Sequence, residues 1–270
     1  MAQRTGNRLL TGNVLLTGAS GGIGQAIARA VAGRGATVVL SARRVEVLEP
    51  LAAELGGRVI ACDLARRDEV QRLAAEAGEV DVLIANAALP ASGELTELTQ
   101  EQIDRMLEVN LRAPIALARA LAPAMVARGA GHMVFISSLA GKAASPASSI
   151  YSATKFGLRG FALGLRADLA PHGVGVSTVL PGFIRDAGMF AEAGVTLPRG
   201  VGTRAPGEVA EAVIRAIESD RAELDVAPLA LRVGAAFSGL APGLAGTISR
   251  RMGGAEIAAG LARGQAGKRD

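Results

Sequence analysis

The chain has 270 residues, half of them apolar and a fifth charged, with no tryptophan, one tyrosine, one cysteine and a formal charge of +4. That length suits a single α/β domain of common size, and the apolar fraction excludes global disorder. The basic residues cluster no further than the pairs Arg43-Arg44, Arg66-Arg67 and Arg250-Arg251, so nucleic-acid binding is not expected.

Strand-like apolar runs fall at 13–17, 37–41, 58–61, 82–85, 132–137 and 174–180, with a weaker one at 223–227. Amphipathic stretches at 22–34, 45–55, 68–77, 100–128, 149–170 and 206–219 alternate with them. Continuous apolar strands separated by helices predict a parallel sheet covered on both faces, the doubly wound Rossmann-type α/β architecture with about seven strands. No linker or repeat interrupts the rhythm, so one domain is expected, with a cofactor half over about 12–130 and a second half over about 131–228. The segment 186–204 reads as a loop, and 229–270 as an apolar stretch ending in a polar tail that frays from Gly264.

The first strand runs straight into Thr17-Gly18-Ala19-Ser20-Gly21-Gly22-Ile23-Gly24 and then a helix. Glycines between a first strand and a first helix let the backbone approach a pyrophosphate at the helix N-terminus, so Gly18, Ser20, Gly21, Gly22, Ile23 and Gly24 are the expected cradle. The second strand ends in Ser41-Ala42-Arg43-Arg44, with no carboxylate before Glu46. A hydroxyl and two guanidinium groups suit a ribose 2′-phosphate better than a free 2′-hydroxyl, so Ser41, Arg43 and Arg44 predict NADP(H) over NAD(H). Cys62 follows the third strand in an apolar run and reads as a buried small hydrophobe.

Tyr151 is the only tyrosine, and one of only three lysines, Lys155, follows four positions later. On a helix the two share a face, and a neighbouring cation lowers a phenol pKa, which suits a general acid/base.

Together these motifs resemble the short-chain dehydrogenase/reductase family, in its compact single-domain form with Thr-Gly-x-x-x-Gly-x-Gly and Tyr-x-x-x-Lys. The resemblance spans about residues 12–228. It implies a catalytic set of Ser138, thirteen residues before the tyrosine, with Tyr151, Lys155 and an assisting Asn110. Ser138 would hold the substrate oxygen, Tyr151 would exchange its proton, Lys155 would lower the tyrosine pKa and hold the nicotinamide ribose, and Asn110 would hold a relay water. It further implies cofactor contacts from Asp63 and Leu64 after the third strand, from Asn86, Ala87 and Ala88 after the fourth, and from Pro181, Gly182 and Ile184 after the sixth. Tyr151 and Lys155 join both sets. Asp186 stands where many relatives carry a threonine that bonds the carboxamide, and an ionised carboxylate cannot donate that bond.

The implied activity is interconversion of a carbonyl and a secondary alcohol, with a catalytically silent cofactor-binding protein as the alternative. The expected substrate is a small apolar carbonyl or alcohol, although Lys142, Arg185 and Arg199 lie where they could meet a carboxylate. His132 and His172 read as structural, and no residue spacing suggests a metal site. A homodimer or homotetramer is implied through the long helices. The N-terminus carries no signal-peptide pattern and the protein is expected to be cytoplasmic. The segment 229–248 contains Arg232 and Pro242 and is too interrupted to span a membrane. Its role as lid, subunit interface or membrane-surface element stays open, membrane association being the least favoured.

Overall fold

A computed structural model describes residues 9–90, 92–197, 201–251 and 254–268. Seven strands form one sheet: β1 (Asn13–Thr17), β2 (Thr37–Ala42), β3 (Arg58–Ala61), β4 (Val82–Ala85), β5 (Gly131–Ile136), β6 (Val174–Pro181) and β7 (Glu223–Val226). All pairs are parallel and the order is β3-β2-β1-β4-β5-β6-β7. The chain builds outward from β1 to β3, then returns to place β4 on the other side of β1. That reversal opens a crevice at the carboxyl ends of β1 and β4, where the Gly-rich turn lies.

Period-two alternation sends successive side chains to opposite layers. Val14, Leu16, Val38, Leu40, Val134 and Ile136 face α1 (Gly22–Ala32), α2 (Val45–Leu55) and α8 (Pro206–Glu218). Leu15, Val39, Leu83, Met133 and Phe135 face α3 (Arg67–Glu76), α5 (Ala113–Arg128) and α6 (Ser149–Leu169). With both faces covered, the strands need apolar residues at every position, which is why they read as continuous runs.

Three stretches differ from the sequence expectation. The helix expected over 100–128 is α4 (Gln100–Leu107), opened by a Thr99 capping box, then a π-helical turn at Glu108–Arg112, then α5. The 186–204 loop contains a five-residue helix, α7 (Gly188–Glu192), and is anchored by a bridge between Ile184 and Arg204. After β7 come α9 (Leu229–Leu240), α10 (Pro242–Arg251) and α11 (Gly254–Gln265). The tail does not fray at Gly264: Gln265 is buried and its amide donates to the Met189 carbonyl at 3.2 Å.

His132 lies in β5, far from the crevice. It is buried, with Nε2 2.8 Å from the Ser177 hydroxyl. Burial pushes its pKa down to about 4; Asp220 pulls it up and Arg166 pushes it further down. An imidazole whose folded pKa lies below the unfolded value near 6.5 stabilises the fold while neutral. Stability is therefore expected to fall between about pH 6.5 and pH 4, by about 2 kcal/mol at pH 5 from this group. Urea unfolding of the parent and of His132→Gln at neutral and mildly acidic pH checks this: the variant should lose less on acidification, and equal slopes would contradict it.

Candidate active site

Gly18 has φ 67°, and a Cβ there would lie 2.6 Å from the Ala87 Cα. A Cβ at Gly24 would meet the Gly18 carbonyl oxygen at 2.3 Å. Only glycine lets the turn cross β4 and the helix start this closely. Asn86 clamps the same junction, its amide nitrogen donating to the Thr17 and Gly18 carbonyls at 3.2 and 3.1 Å. α1 follows the N-cap residue Gly21, with no side-chain cap and no acidic residue in its first turn. Its N–H groups and partial positive charge are left for an anion, as a pyrophosphate requires.

At the far end of β2, Ser41 is buried and its carbonyl accepts from Ala19 N–H at 3.3 Å. Arg43 and Arg44 are exposed, without an ion-pair partner among the described residues. Asp63 is held by Arg105 at 3.2 Å and its carboxylate accepts from Ala65 N–H at 3.0 Å. Cys62 is buried, and burial pushes its thiol up to about 12, so it is no nucleophile.

At the carboxyl ends of β5 and β6, Ser138 caps the 3₁₀ turn Leu139–Gly141, its hydroxyl accepting from Ala140 N–H at 3.1 Å. Tyr151 and Lys155 project from the first two turns of α6. Lys155 is 2 % exposed, and its ammonium donates to the Ile136 carbonyl at 3.0 Å and stands 5.7 Å from the centre of the Tyr151 ring. Burial pulls its pKa down to about 8. Burial also raises the Tyr151 phenol, against which a hydrogen bond with Ser138 acts. The lowering of the phenol expected from Lys155 does not prevail in this arrangement: burial sets the direction, and the opposing contribution comes from Ser138. At neutral pH the tyrosine is therefore a protonated donor.

One cleft of about 1720 Å³ joins these parts. It is lined by the Gly18–Gly24 turn, by Ser41, Arg43, Arg44, Asp63, Leu64, Asn86, Ala87 and Ala88, and by Ser138, Tyr151, Lys155, Pro181, Gly182 and Ile184. Of the residues expected from the sequence, Asn110 is the exception. It is buried in the π-helical turn, accepting from Leu89 N–H at 2.7 Å and donating to the Leu89 carbonyl at 2.9 Å. Both ends of its amide hold the loop after β4 rather than the cleft.

Three further differences bear on the chemistry. Asp186 has φ 66° and a side chain 72 % exposed, paired with Arg185 at 3.4 Å, and does not line the cleft. Its charge therefore faces water. Lys142 does line the cleft, but its ammonium bonds Asp225 at 2.7 Å and lies 3.5 Å from Glu223. Arg199 lies outside the described residues. Further lining comes from α9, within the segment 229–248 whose role the sequence leaves open, and from α11, including Gln265, whose buried side-chain oxygen has no hydrogen-bond partner. Gln265 shares α11 with Glu256 and Arg263, and its residue type alone gave no sequence signal for that placement. Among the described residues, no group of three or more His, Cys, Asp or Glu side chains is placed to hold a metal ion, and no helix is long and apolar enough to cross a membrane.

Comparison with known proteins places this arrangement. A profile of the family described as "short chain dehydrogenase" matches residues 12–196. The ketoacyl reductase HetN of Nostoc sp. is 38% identical over 227 residues, covering 80% of this chain and 79% of that protein. A short-chain dehydrogenase from Sphingobium yanoikuyae, solved in complex with NADPH, superposes with a TM-score of 0.74 at 35% identity, covering 86% of this chain and 94% of that one. A metagenomic short-chain oxidoreductase in complex with NADP gives 0.66 at 35% identity, with 81% and 96% covered. The chain belongs to the short-chain dehydrogenase/reductase family and is an oxidoreductase of the alcohol–carbonyl couple.

Proposed function

We propose that the protein is an NADP(H)-dependent reductase of apolar ketones or aldehydes, with Tyr151 as general acid. The observation that carries this is the junction of Ser138, Tyr151 and buried Lys155 with the Gly-rich turn in one cleft. The bound cofactor supplies the hydride. Ser138 donates a hydrogen bond to the carbonyl oxygen and fixes its distance from Tyr151. Tyr151, protonated at neutral pH, passes its proton to that oxygen as negative charge develops there. Lys155 keeps an ammonium beside the phenol and stabilises the phenolate left behind. Asn110 acts through the Leu89 backbone as a positioning residue for the wall of the cleft.

The cofactor preference rests on Arg43 and Arg44, exposed at the end of β2 with no carboxylate before Glu46, and on neighbours solved with NADPH or NADP. The buried Ser41 leaves the two guanidinium groups as the main phosphate contacts. Changing both to alanine should weaken NADPH binding about 10- to 100-fold and NADH binding less than about threefold. Equal losses for both cofactors, measured by titration, would remove this assignment.

An apolar neutral substrate is favoured because Leu89, Phe183, Met189 and Phe190 line the cleft while Lys142 and Arg185 are both engaged by carboxylates. The apolar groove between α5 and α6, lined by Ile115, Ala122, Val126, Phe161 and Leu165, is the proposed homo-oligomer contact. The lone buried Cys62 fits a cytoplasmic protein. The test is loss of NADPH absorbance with decanal and 2-decanone. Turnover abolished in Tyr151→Phe supports the reading, and equal rates in parent and variant would overturn it.

A further inference from the structure

Five of the eight exposed large hydrophobic side chains among the described residues lie within one short stretch: Leu229, Val233, Phe237, Leu240 and Leu244. Leu229, Val233, Phe237 and Leu240, spaced four, four and three residues apart, make one stripe along the outer side of α9, and Leu244 follows on α10 beyond the break at Ala241. Leu240 is 86% exposed and Leu229 69%. Folding alone leaves no reason for so concentrated an apolar face on the water side. The inner side of the same helix, at Leu231, Ala235 and Ser238, lines the cleft, and Phe237 both lines the cleft and belongs to the stripe. The stripe therefore borders the cleft.

The charge along this stretch of sequence is one-sided between Asp225 and Glu256. From residue 226 to 255 the chain carries Arg232, Arg250 and Arg251 and no aspartate or glutamate. Arg232 lies 3.9 Å from Asp225, but Asp225 is already held by Lys142 at 2.7 Å. A second copy meeting this face across a two-fold axis would set arginine against arginine. A surface that takes up aliphatic side chains and is itself negative fits both features.

We propose that the α9–α10 face docks peripherally on an anionic lipid bilayer, inserting Leu229, Val233, Phe237, Leu240 and Leu244 to the depth of the headgroups. Docking sets the border of the cleft against the lipid phase; that an apolar carbonyl enters from there rests on the function proposed above, whereas docking itself does not.

The test is flotation of the full chain with vesicles of phosphatidylcholine alone or with phosphatidylserine, at low and high salt. The expected result is co-flotation with phosphatidylserine vesicles at low salt, released by high salt. Leu240→Glu with Leu244→Glu should lower that partition about tenfold or more, as should Arg232→Glu more mildly. Leu95→Glu, an exposed leucine elsewhere on the surface, should leave it unchanged. Circular dichroism melts establish that each variant is folded. No flotation with phosphatidylserine vesicles, equal flotation of the double variant, or indifference to lipid charge would overturn the proposal. So would a fall in oligomer size caused by the double variant, since a second copy would then cover the face.

Discussion

Tyr151→Phe is expected to lower kcat/KM for carbonyl reduction about 10³- to 10⁴-fold while leaving the Kd for NADPH within about twofold. The substitution removes one oxygen and keeps the ring over which the Lys155 ammonium stands. The cofactor contacts proposed for the Gly18–Gly24 turn and Arg43 are untouched, so the loss is expected to fall on the chemical step. Burial of the phenol adds a second signature. Because its pKa is raised, the donor stays protonated through neutral pH, and the descending limb of kcat/KM should not come from tyrosine. The group that loses its proton first is Lys155, near pH 8. Reduction measured across pH should therefore fall as pH rises through about 8, with the ammonium lost above that value. A variant with near-parental turnover, or a profile flat to pH 10, would contradict the roles proposed.

Lys155→Met should also cost about 10³-fold or more in kcat/KM, yet melt no lower than the parent at neutral pH. The residue is 2% exposed and its pKa is pulled from 10.5 down to about 8 by burial. A lysine with a lowered folded pKa binds its proton less readily in the fold than in the open chain. At pH 7 both states are protonated and the fold bears the full penalty, which fades as pH rises from about 8 to about 10.5. At about 1.4 kcal/mol per unit, that penalty is on the order of 3 kcal/mol. Methionine fills a similar volume without charge and relieves it, at the expense of the bond to the Ile136 carbonyl. Thermal melting with turnover of the same preparation reads both. A large fall in Tm would mean that the lysine is retained for stability rather than for chemistry.

The strands and the Gly-rich turn were legible because their signals are local: apolar runs bounded by turns, and glycines between a strand and a helix. All seven strands fall within a residue or so of their expected limits at each end. The Ser138, Tyr151 and Lys155 positions followed from a resemblance in spacing, and the fold brings them to one wall. What stayed hidden depends on partners far away in the chain. Lys142 reads as a free cation until Asp225, 83 residues later, is seen to hold it. Asp186 reads as a charge beside the cofactor until its backbone, at φ 66°, turns the side chain outwards. Asn110 carries a residue signal, but the π-helical turn that aims it at Leu89 has no local signature. The C-terminal helices gave least: the residues of α9 that face the cleft are mostly small, and nothing local in the sequence distinguishes them from solvent-facing ones.

The central claim is that this chain holds NADP(H) between Arg43, the Gly-rich turn and Lys155. The most direct measurement is titration of the full chain with NADPH and with NADH, following reduced-nicotinamide fluorescence, which no tryptophan in this sequence obscures. Saturable NADPH binding with NADH at least about tenfold weaker is the predicted result. Binding of neither cofactor, or NADH bound as tightly as NADPH, would contradict it.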